Sequence, residues 1–310
     1  MWKMRTKESW GSKETVFRLV AVAIGILAVA PMMPAILVSG SAGGSCGEST
    51  TAPTAARGTT ELREPNLNAA EEVPAAMHGA GGRGFSANVP VYVHVVTPDG
   101  VEANVPLSKI REQVRALDDG FGGAFGGADT GFGFTLVSVD RTINADWYNA
   151  GPTTKAEFDM KRALHAGGPN ALNLYLTTAG IYLGWAYFPS IVDTPGQAYL
   201  DGIVVDWKSL PGMGFYPEFD LGFTAVHEAG HWLNLYHTFQ GGCNHWGDYV
   251  DDTPAQGTPS FGCPVGKDTC SDPGFDPIHN FMDYSDDPCY TEFTDGQTTR
   301  MQDAWVEWRA

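Results

Sequence analysis

The chain has 310 residues, of which 43% are hydrophobic, so it is long enough for one large domain or two small ones with a sizeable core. Its formal net charge of -17 at pH 7 repels the phosphates of nucleic acids and anionic lipid headgroups. These properties argue against nucleic acid and membrane surfaces as partners, and an acidic chain suits calcium.

The N-terminus has the pattern of an export signal. Basic residues precede the apolar stretch VAVAIGILAVAPMMPAILV, and the small residues SGSAGGS follow it. Residues 1–42 are therefore predicted to be a signal peptide, which implies secretion. The alternative is a retained N-terminal anchor at the cell surface, because the apolar stretch is long for a signal peptide, although Pro31 and Pro34 interrupt it.

Residues 43–87 are predicted to be a disordered linker or pro-segment. They are rich in Ala, Gly, Thr, Pro and Glu and contain few large apolar side chains. Removal of the chain up to about Gly84 would release the rest, with Arg83 as a possible cleavage point. Cys46 has no obvious partner and is interpreted either as a lipid attachment point or as a thiolate that caps a metal in a precursor.

Ordered structure is expected to begin with a strand over residues 88–96, where β-branched and aromatic residues are frequent. The segment LSKIREQVRALDDGF has helical spacing, and Ser108 is a candidate N-cap. The glycine-rich stretch GFGGAFGGADTGFGF lacks the GK[ST] ending of a phosphate-binding loop, so it is predicted to be a turn-rich connection.

Three later segments, FTLVSVDRTI, ALNLYLTT and GIVVDW, are also predicted to be strands. Together with the first strand they predict a sheet of about four or five strands. The apolar and aromatic segment YLGWAYFP is interpreted as an edge strand or as the wall of a cleft.

The segment HEAGHWLNLYH has the spacing of a metal site. His227 and His231 are four residues apart, so they lie on one face of a helix and can share one ion. Glu228 follows the first histidine, where its carboxylate can act as the general base on a metal-activated water.

His237 is predicted to be the third ligand only if the helix ends before it. Ten residues of continuous helix would place it about 15 Å along the axis from His227. The chain must therefore turn back between His231 and His237, and Asn234 tolerates the positive φ that such a turn requires.

HEAGHWLNLYH resembles the long zinc motif of the metzincin metallopeptidases, and NFMDY resembles their Met-turn. The GDYVDDTP segment and four C-terminal cysteines resemble the pappalysin family of secreted bacterial and fungal enzymes in particular. The resemblance implies a metzincin-type catalytic domain of the α+β class over residues 88–310. It further implies a twisted, mostly parallel sheet, an active-site helix and an irregular, disulfide-bonded C-terminal subdomain.

The resemblance assigns roles to the residues of these motifs. The zinc ligands would be His227, His231 and His237, and Glu228 would polarise the water. Met282 would form a hydrophobic floor beneath the metal, and the hydroxyl of Tyr284 would stabilise the oxyanion. His245 and His279 are interpreted as loop residues, because three protein ligands already leave the open position that catalysis needs.

Structural calcium is also implied, and its candidate ligands are Asp248, Asp252 and Thr253, with an acidic surface loop as the alternative. Spacing alone allows three pairings of the four clustered cysteines. The resemblance implies two disulfides, Cys243 with Cys270 and Cys263 with Cys289.

Two functions are compatible with these motifs. The first is a secreted, monomeric zinc endopeptidase that cleaves protein or peptide substrates and is matured from a precursor. The second is a catalytically inactive, metal-stabilised binding module. The presence of Glu228 favours the enzyme, because a structural zinc has no use for a base beside an open coordination position. Some relatives prefer a basic residue after the scissile bond, which Asp286 or Asp287 could bind if either lines the pocket.

Overall fold

The computed structural model describes residues 84–244 and 247–310. The predictions for residues 1–42, Cys46, Arg83 and His245, and almost all of the predicted linker, lie outside these ranges. Within them, no helix is both long enough and apolar enough to cross a membrane.

A five-stranded sheet with the order β2-β1-β3-β5-β4 forms the centre of the domain. The strands are β1 (Ala87–Thr97), β2 (Phe132–Ile143), β3 (Leu172–Thr177), β4 (Gly184–Ala186) and β5 (Ile203–Asp206). Only β4 runs antiparallel to its neighbour, and it lies at the edge of the sheet. All six residues of β3 are buried, as expected for a central strand covered on both faces.

In the described part of the chain, five α-helices accompany the sheet: α1 (Leu107–Phe121), α2 (Ala145–Tyr148), α3 (Lys155–Leu164), α4 (Phe223–Trp232) and α5 (Asp295–Ala304). A short π-helical segment, Trp305–Arg309, follows α5. The prediction that Ser108 is the N-cap of α1 is wrong. The helix begins at Leu107 with Pro106 at the N-cap, which places Ser108 inside the first turn. Pro106 cannot donate a backbone hydrogen bond, so it suits the boundary of the helix.

Helix α4 is the most deeply placed helix, because all ten of its residues are buried. It packs against α1 and against strands β4 and β5. Gly120 of α1 permits this approach: a Cβ there would lie 3.0 Å from Cγ1 of Val226. Helix α4 therefore lies directly beside the edge strand β4.

The C-terminal part, between α4 and α5, is largely irregular and contains two disulfides. Helix α5 ends this part and begins with a capping box between Thr294 and Gln297. The architecture confirms the predicted α+β class, the mostly parallel sheet and the irregular, disulfide-bonded subdomain.

Candidate metal centre and active-site cleft

Helix α4 presents two imidazole rings to one point. His227 and His231 are one turn apart, and their Nε2 atoms lie 3.1 Å from each other. Both residues are buried, and the rings are nearly perpendicular, with an interplanar angle of 82°. The two nitrogens can therefore bind the same ion.

A tight turn after α4 brings in the third histidine. Asn234 has a φ of 77°, and Leu235 N donates to the carbonyl of Gly230, which together make a Schellman-type helix end. The reversal places Nε2 of His237 at 3.1 Å from Nε2 of His231. The chain thus reverses direction at Asn234, two residues after α4 ends.

Two backbone carbonyls fix the orientation of two of the imidazole rings through their Nδ1 atoms. Nδ1 of His227 lies 2.5 Å from the carbonyl of Phe281, and Nδ1 of His231 lies 2.7 Å from the carbonyl of Leu235. A carbonyl can only accept, so each Nδ1 carries the proton and each Nε2 presents its lone pair to the metal.

The donor set fits zinc. Nitrogen atoms bound tetrahedrally at 2.0–2.1 Å from one zinc ion lie about 3.3 Å apart. Nε2 of His231 already lies 3.1 Å from Nε2 of each of the other two histidines. The three residues form the one group of three histidines among the described residues that could hold a metal.

A cleft opens beside these histidines. It is lined by His227, Glu228 and Tyr284, and by Gly184 of the edge strand. Glu228 is almost completely buried, and a Cβ at position 184 would lie 2.7 Å from its Oε1 atom. Only glycine therefore leaves room for this carboxyl group between α4 and β4.

The segment after residue 279 closes the other side of the centre. Met282 is fully buried, and its Sδ atom would clash with a Cβ at position 230, so Gly230 is required in α4 where the methionine passes. The ring of Tyr284 lies 4.9 Å from that of His237 and 5.8 Å from that of His227, between centroids. The structure therefore places Met282 against α4 and Tyr284 beside the histidines.

Two of the three calcium candidates come together. The hydroxyl of Thr253 lies 2.7 Å from Oδ1 of Asp248 and 2.8 Å from the carbonyl oxygen of Val250. The second carboxylate oxygen of Asp248 is buried without a hydrogen-bond partner among the described residues. Burial raises the pKa of Asp248 to about 7, so a cation would stabilise its charged form. Three oxygen donors with one unsatisfied carboxylate oxygen fit a hard cation.

Asp252, the third calcium candidate, is directed elsewhere. Its two carboxylate oxygens accept hydrogen bonds from the hydroxyl of Thr294 and from the backbone of Gly296, so it binds the first turn of α5. The carbonyl of Val250 takes its place among the converging oxygens. Sequence reasoning missed this carbonyl because any residue type can supply one.

Both disulfides implied by the family resemblance are present, Cys243–Cys270 and Cys263–Cys289. His279 packs against the second disulfide, and its Nδ1 atom lies 2.6 Å from the carbonyl of Cys289. It makes no contribution to the three-histidine group.

Asp287 lines the cleft, whereas Asp286 accepts a hydrogen bond from the backbone of Gly262. Oδ2 of Asp287 accepts hydrogen bonds from the backbone of Leu221 and Phe223, at the start of α4. Burial raises the pKa of Asp287 to about 7. Of the two acids considered for the pocket, Asp287 is the one that the structure places there.

Known proteins are similar to this chain in sequence. Residues 213–306 match the peptidase family described as "Pregnancy-associated plasma protein-A". An "Extracellular metalloprotease" of Pyricularia oryzae is 44% identical over 250 residues, which are 79% of this chain and 84% of that protein. "Extracellular metalloprotease 1" of Coccidioides posadasii is 42% identical over 84% of this chain and 93% of its own length.

Two solved structures of mirolysin from Tannerella forsythia are also similar. Mature mirolysin in complex with a cleaved peptide has a TM-score of 0.60 and 27% identity, over 70% of this chain and 91% of that one. A promirolysin mutant has a TM-score of 0.61 and 26% identity, over 72% and 81% of the two chains. The chain therefore belongs to the pappalysin family of metzincin peptidases and is an extracellular metalloprotease.

Proposed function

We propose that the protein is a zinc-dependent endopeptidase that hydrolyses peptide bonds in proteins or peptides, with Glu228 as the general base. The proposal depends above all on one observation. Three histidine Nε2 atoms converge beside the buried carboxyl group of Glu228, at a cleft that the edge strand borders. The family membership and the cleaved peptide named in the mirolysin complex support it.

The histidines would hold the zinc through Nε2, and the carbonyls behind two of them keep these rings in the required orientation. When bound, zinc supplies Lewis-acid chemistry, because it lowers the pKa of water to about 7 and polarises the scissile carbonyl. Glu228 accepts the proton of the attacking water on its carboxylate and passes it to the leaving amine.

The substrate would lie along the edge strand. Among the described strands, β4 has a neighbour on one side only, so an extended peptide can add to it as a further strand and place its carbonyl near Glu228. The hydroxyl of Tyr284 would donate a hydrogen bond to the oxyanion, because its ring lies beside His227 and His237.

The mechanism predicts that Glu228→Ala abolishes cleavage while zinc stays bound. Loss of a general base typically lowers the rate by about 100- to 10,000-fold. The measurement is hydrolysis of a quenched peptide library by the secreted protein, with zinc content determined in parallel. Glu112→Ala removes a carboxylate from α1, far along the chain from the metal motif, and serves as the matched control.

Near-normal cleavage by the Glu228 variant would remove this residue from the mechanism. A wild-type protein that binds zinc but cleaves no peptide in the library would support the binding-module alternative instead. Loss of wild-type activity on chelation, and its return with zinc, is expected for the endopeptidase.

We also propose that calcium binds to Asp248, the carbonyl of Val250 and Thr253, where three oxygen donors converge. Asp248 supplies the negative charge, and a cation would bind to its unsatisfied carboxylate oxygen. The ion would connect the two ends of this loop and so stabilise it.

The protein is proposed to be made as a precursor. The similarity to promirolysin supports this, because that structure is of a similar protein in its precursor form. A form that starts near Gly84 should cleave peptides faster than the full-length chain, and equal activities would contradict latency. Mass spectrometry of Cys46 separates its two interpretations, because a lipid adduct would identify an anchor and not a metal-capping thiolate.

A further inference from the structure

Arg300 is a charged residue of α5 for which the proposed reaction has no role. Its Nε atom donates a hydrogen bond of 2.6 Å to the carbonyl of Asn234. Its guanidinium lies over the ring of Tyr236, 5.1 Å from the centroid. Both contacts fall on the segment that joins His231 to His237.

This segment has to hold a particular shape. Asn234 adopts the left-handed conformation, and the carbonyl bound by Arg300 belongs to the same residue. Tyr236 immediately precedes His237 in the chain. Arg300 thus contacts the turn at its point of reversal and again one residue before the third ligand.

Burial penalises the charge of Arg300, and the attraction of Asp248 offsets that penalty only in part. One of its terminal nitrogens, Nη2, is buried without a hydrogen-bond partner among the described residues. Burying a charged group with an unsatisfied donor costs free energy and offsets what the bond to Asn234 contributes. A cation near the C-terminus of α4 does interact favourably with the helix dipole, which favours the contact at this site in particular.

We propose that Arg300 is a positioning residue for the metal centre. It holds the turn after α4 in the orientation in which His237 reaches the ion bound by His227 and His231. Groups that orient metal ligands typically change metal affinity by about 10- to 100-fold when they are removed. The inference rests on the proposed zinc site, although it concerns metal binding and not the cleavage step.

The test compares Arg300→Met and Arg300→Lys with Gln302→Ala. Gln302 lies on the same helix but donates to the carbonyl of Thr130, so its substitution removes a tertiary contact of α5 and leaves the turn untouched. Zinc affinity is measured by chelator competition, and unfolding of the metal-free protein is followed separately. Absorption spectra of the cobalt-substituted proteins report the ligand geometry.

We expect Arg300→Met to lower zinc affinity by about 10- to 100-fold and to change the cobalt spectrum. Arg300→Lys should lose less, because lysine can still donate to the carbonyl of Asn234. Gln302→Ala should keep the wild-type zinc affinity and spectrum even if its melting temperature falls. If Arg300→Met does not fold, Arg300→Lys should still show a smaller loss of zinc affinity, and wild-type affinity in that variant would then overturn the proposal.

Zinc affinity within about twofold of wild type and an unchanged cobalt spectrum for Arg300→Met would overturn the proposal. An equal loss of affinity in Gln302→Ala would also overturn it, because the effect would then come from general loosening of α5. A wild-type protein that binds no zinc would overturn the zinc site itself, which is a different result from a variant that binds normally.

Discussion

Gly230 and Met282 approach each other beside the proposed zinc site, and neither residue is a proposed ligand. A Cβ at position 230 would clash with the methionine sulfur, so the two positions are sterically coupled. At the level of single residues, the proposed zinc site thus depends on residues that determine its shape as well as on the proposed zinc ligands. Asn234 and Asp287 are two more such residues.

Asn234 should tolerate glycine but not valine. At a φ of 77° glycine has no Cβ to clash, whereas a β-branched residue should add strain of roughly 1–3 kcal/mol to the turn that positions His237. Asn234→Gly should therefore keep zinc affinity and activity near wild type, and Asn234→Val should weaken both. Chelator competition on the two variants checks this, and equal affinities would contradict it.

Asp287 should make stability depend on pH. Burial raises its pKa from 3.8 to about 7, so the folded state keeps this proton to higher pH than the unfolded state does. The contribution of Asp287 to the stability of the wild-type protein should therefore fall as pH rises from about 4 to about 7. The substitution Asp287→Asn would keep an oxygen for the backbone of Leu221 and Phe223 without the charge.

Asp287→Asn should accordingly be more stable than wild type above pH 7 and equal to it near pH 4. A shift of about three pKa units corresponds to about 4 kcal/mol as an upper limit. The measurement is the melting temperature of both chelator-treated proteins across this range, so that zinc release does not contribute. A constant difference at every pH would show that Asp287 is not the titrating group.

Among the elements, the strands are the best-predicted part of the fold. Their runs of β-branched and aromatic residues identify β1, β2, β3 and β5. The aromatic segment around β4 lies at the edge of the sheet and also lines the cleft, so both of its interpretations are confirmed. The start of α1 is not predictable from Ser108, because Pro106 determines the boundary.

Sequence patterns identify side chains whose chemistry is local, such as the three histidines, and miss two kinds of contact. A backbone carbonyl such as that of Val250 has no residue-type signature. The bond from Arg300 to Asn234 joins residues 66 positions apart, so only the tertiary fold brings them together. The packing of Gly184 against Glu228 is a further example of such a contact, because it needs α4 and the edge strand to be neighbours.

The loop that contains Asp248 should respond to calcium. An ion that binds only the folded state stabilises it by about 2.7 kcal/mol at 100 times its dissociation constant. Calcium should therefore raise the melting temperature of the zinc-loaded protein, and Asp248→Asn should remove the response. Asp251→Asn, which changes an exposed acid of the same loop, is the matched control. An unchanged melting curve in calcium would rule out the site.

At the scale of the whole molecule, the two disulfides cross-link segments within the irregular C-terminal part. They join residues 27 and 26 positions apart, and each such loop is worth about 3.5 kcal/mol in the chain-entropy model. The loop closed by Cys263–Cys289 contains Met282 and Tyr284, whereas that closed by Cys243–Cys270 contains neither.

Removal of the Cys263–Cys289 pair by double alanine substitution should therefore lower activity more than removal of the Cys243–Cys270 pair. Both double variants should lose comparable stability, because the loops are of similar length. Peptide hydrolysis below the melting temperature of either variant provides the comparison. Equal residual activities would show that the second disulfide does not hold the methionine and tyrosine in place.

The positions of the disulfides in the chain also affect when the protein can become proteolytically active during its synthesis and export. All three histidines and Glu228 precede the first disulfide-bonded cysteine, so the motif is synthesised before any bridge can form. Cytosolic thiols stay reduced, and a chain that has not left the cytosol lacks the bridge around Met282 and Tyr284. We expect the missing bridge to protect the producing cell, because the protein would reach full peptidase activity only after export into an oxidising environment.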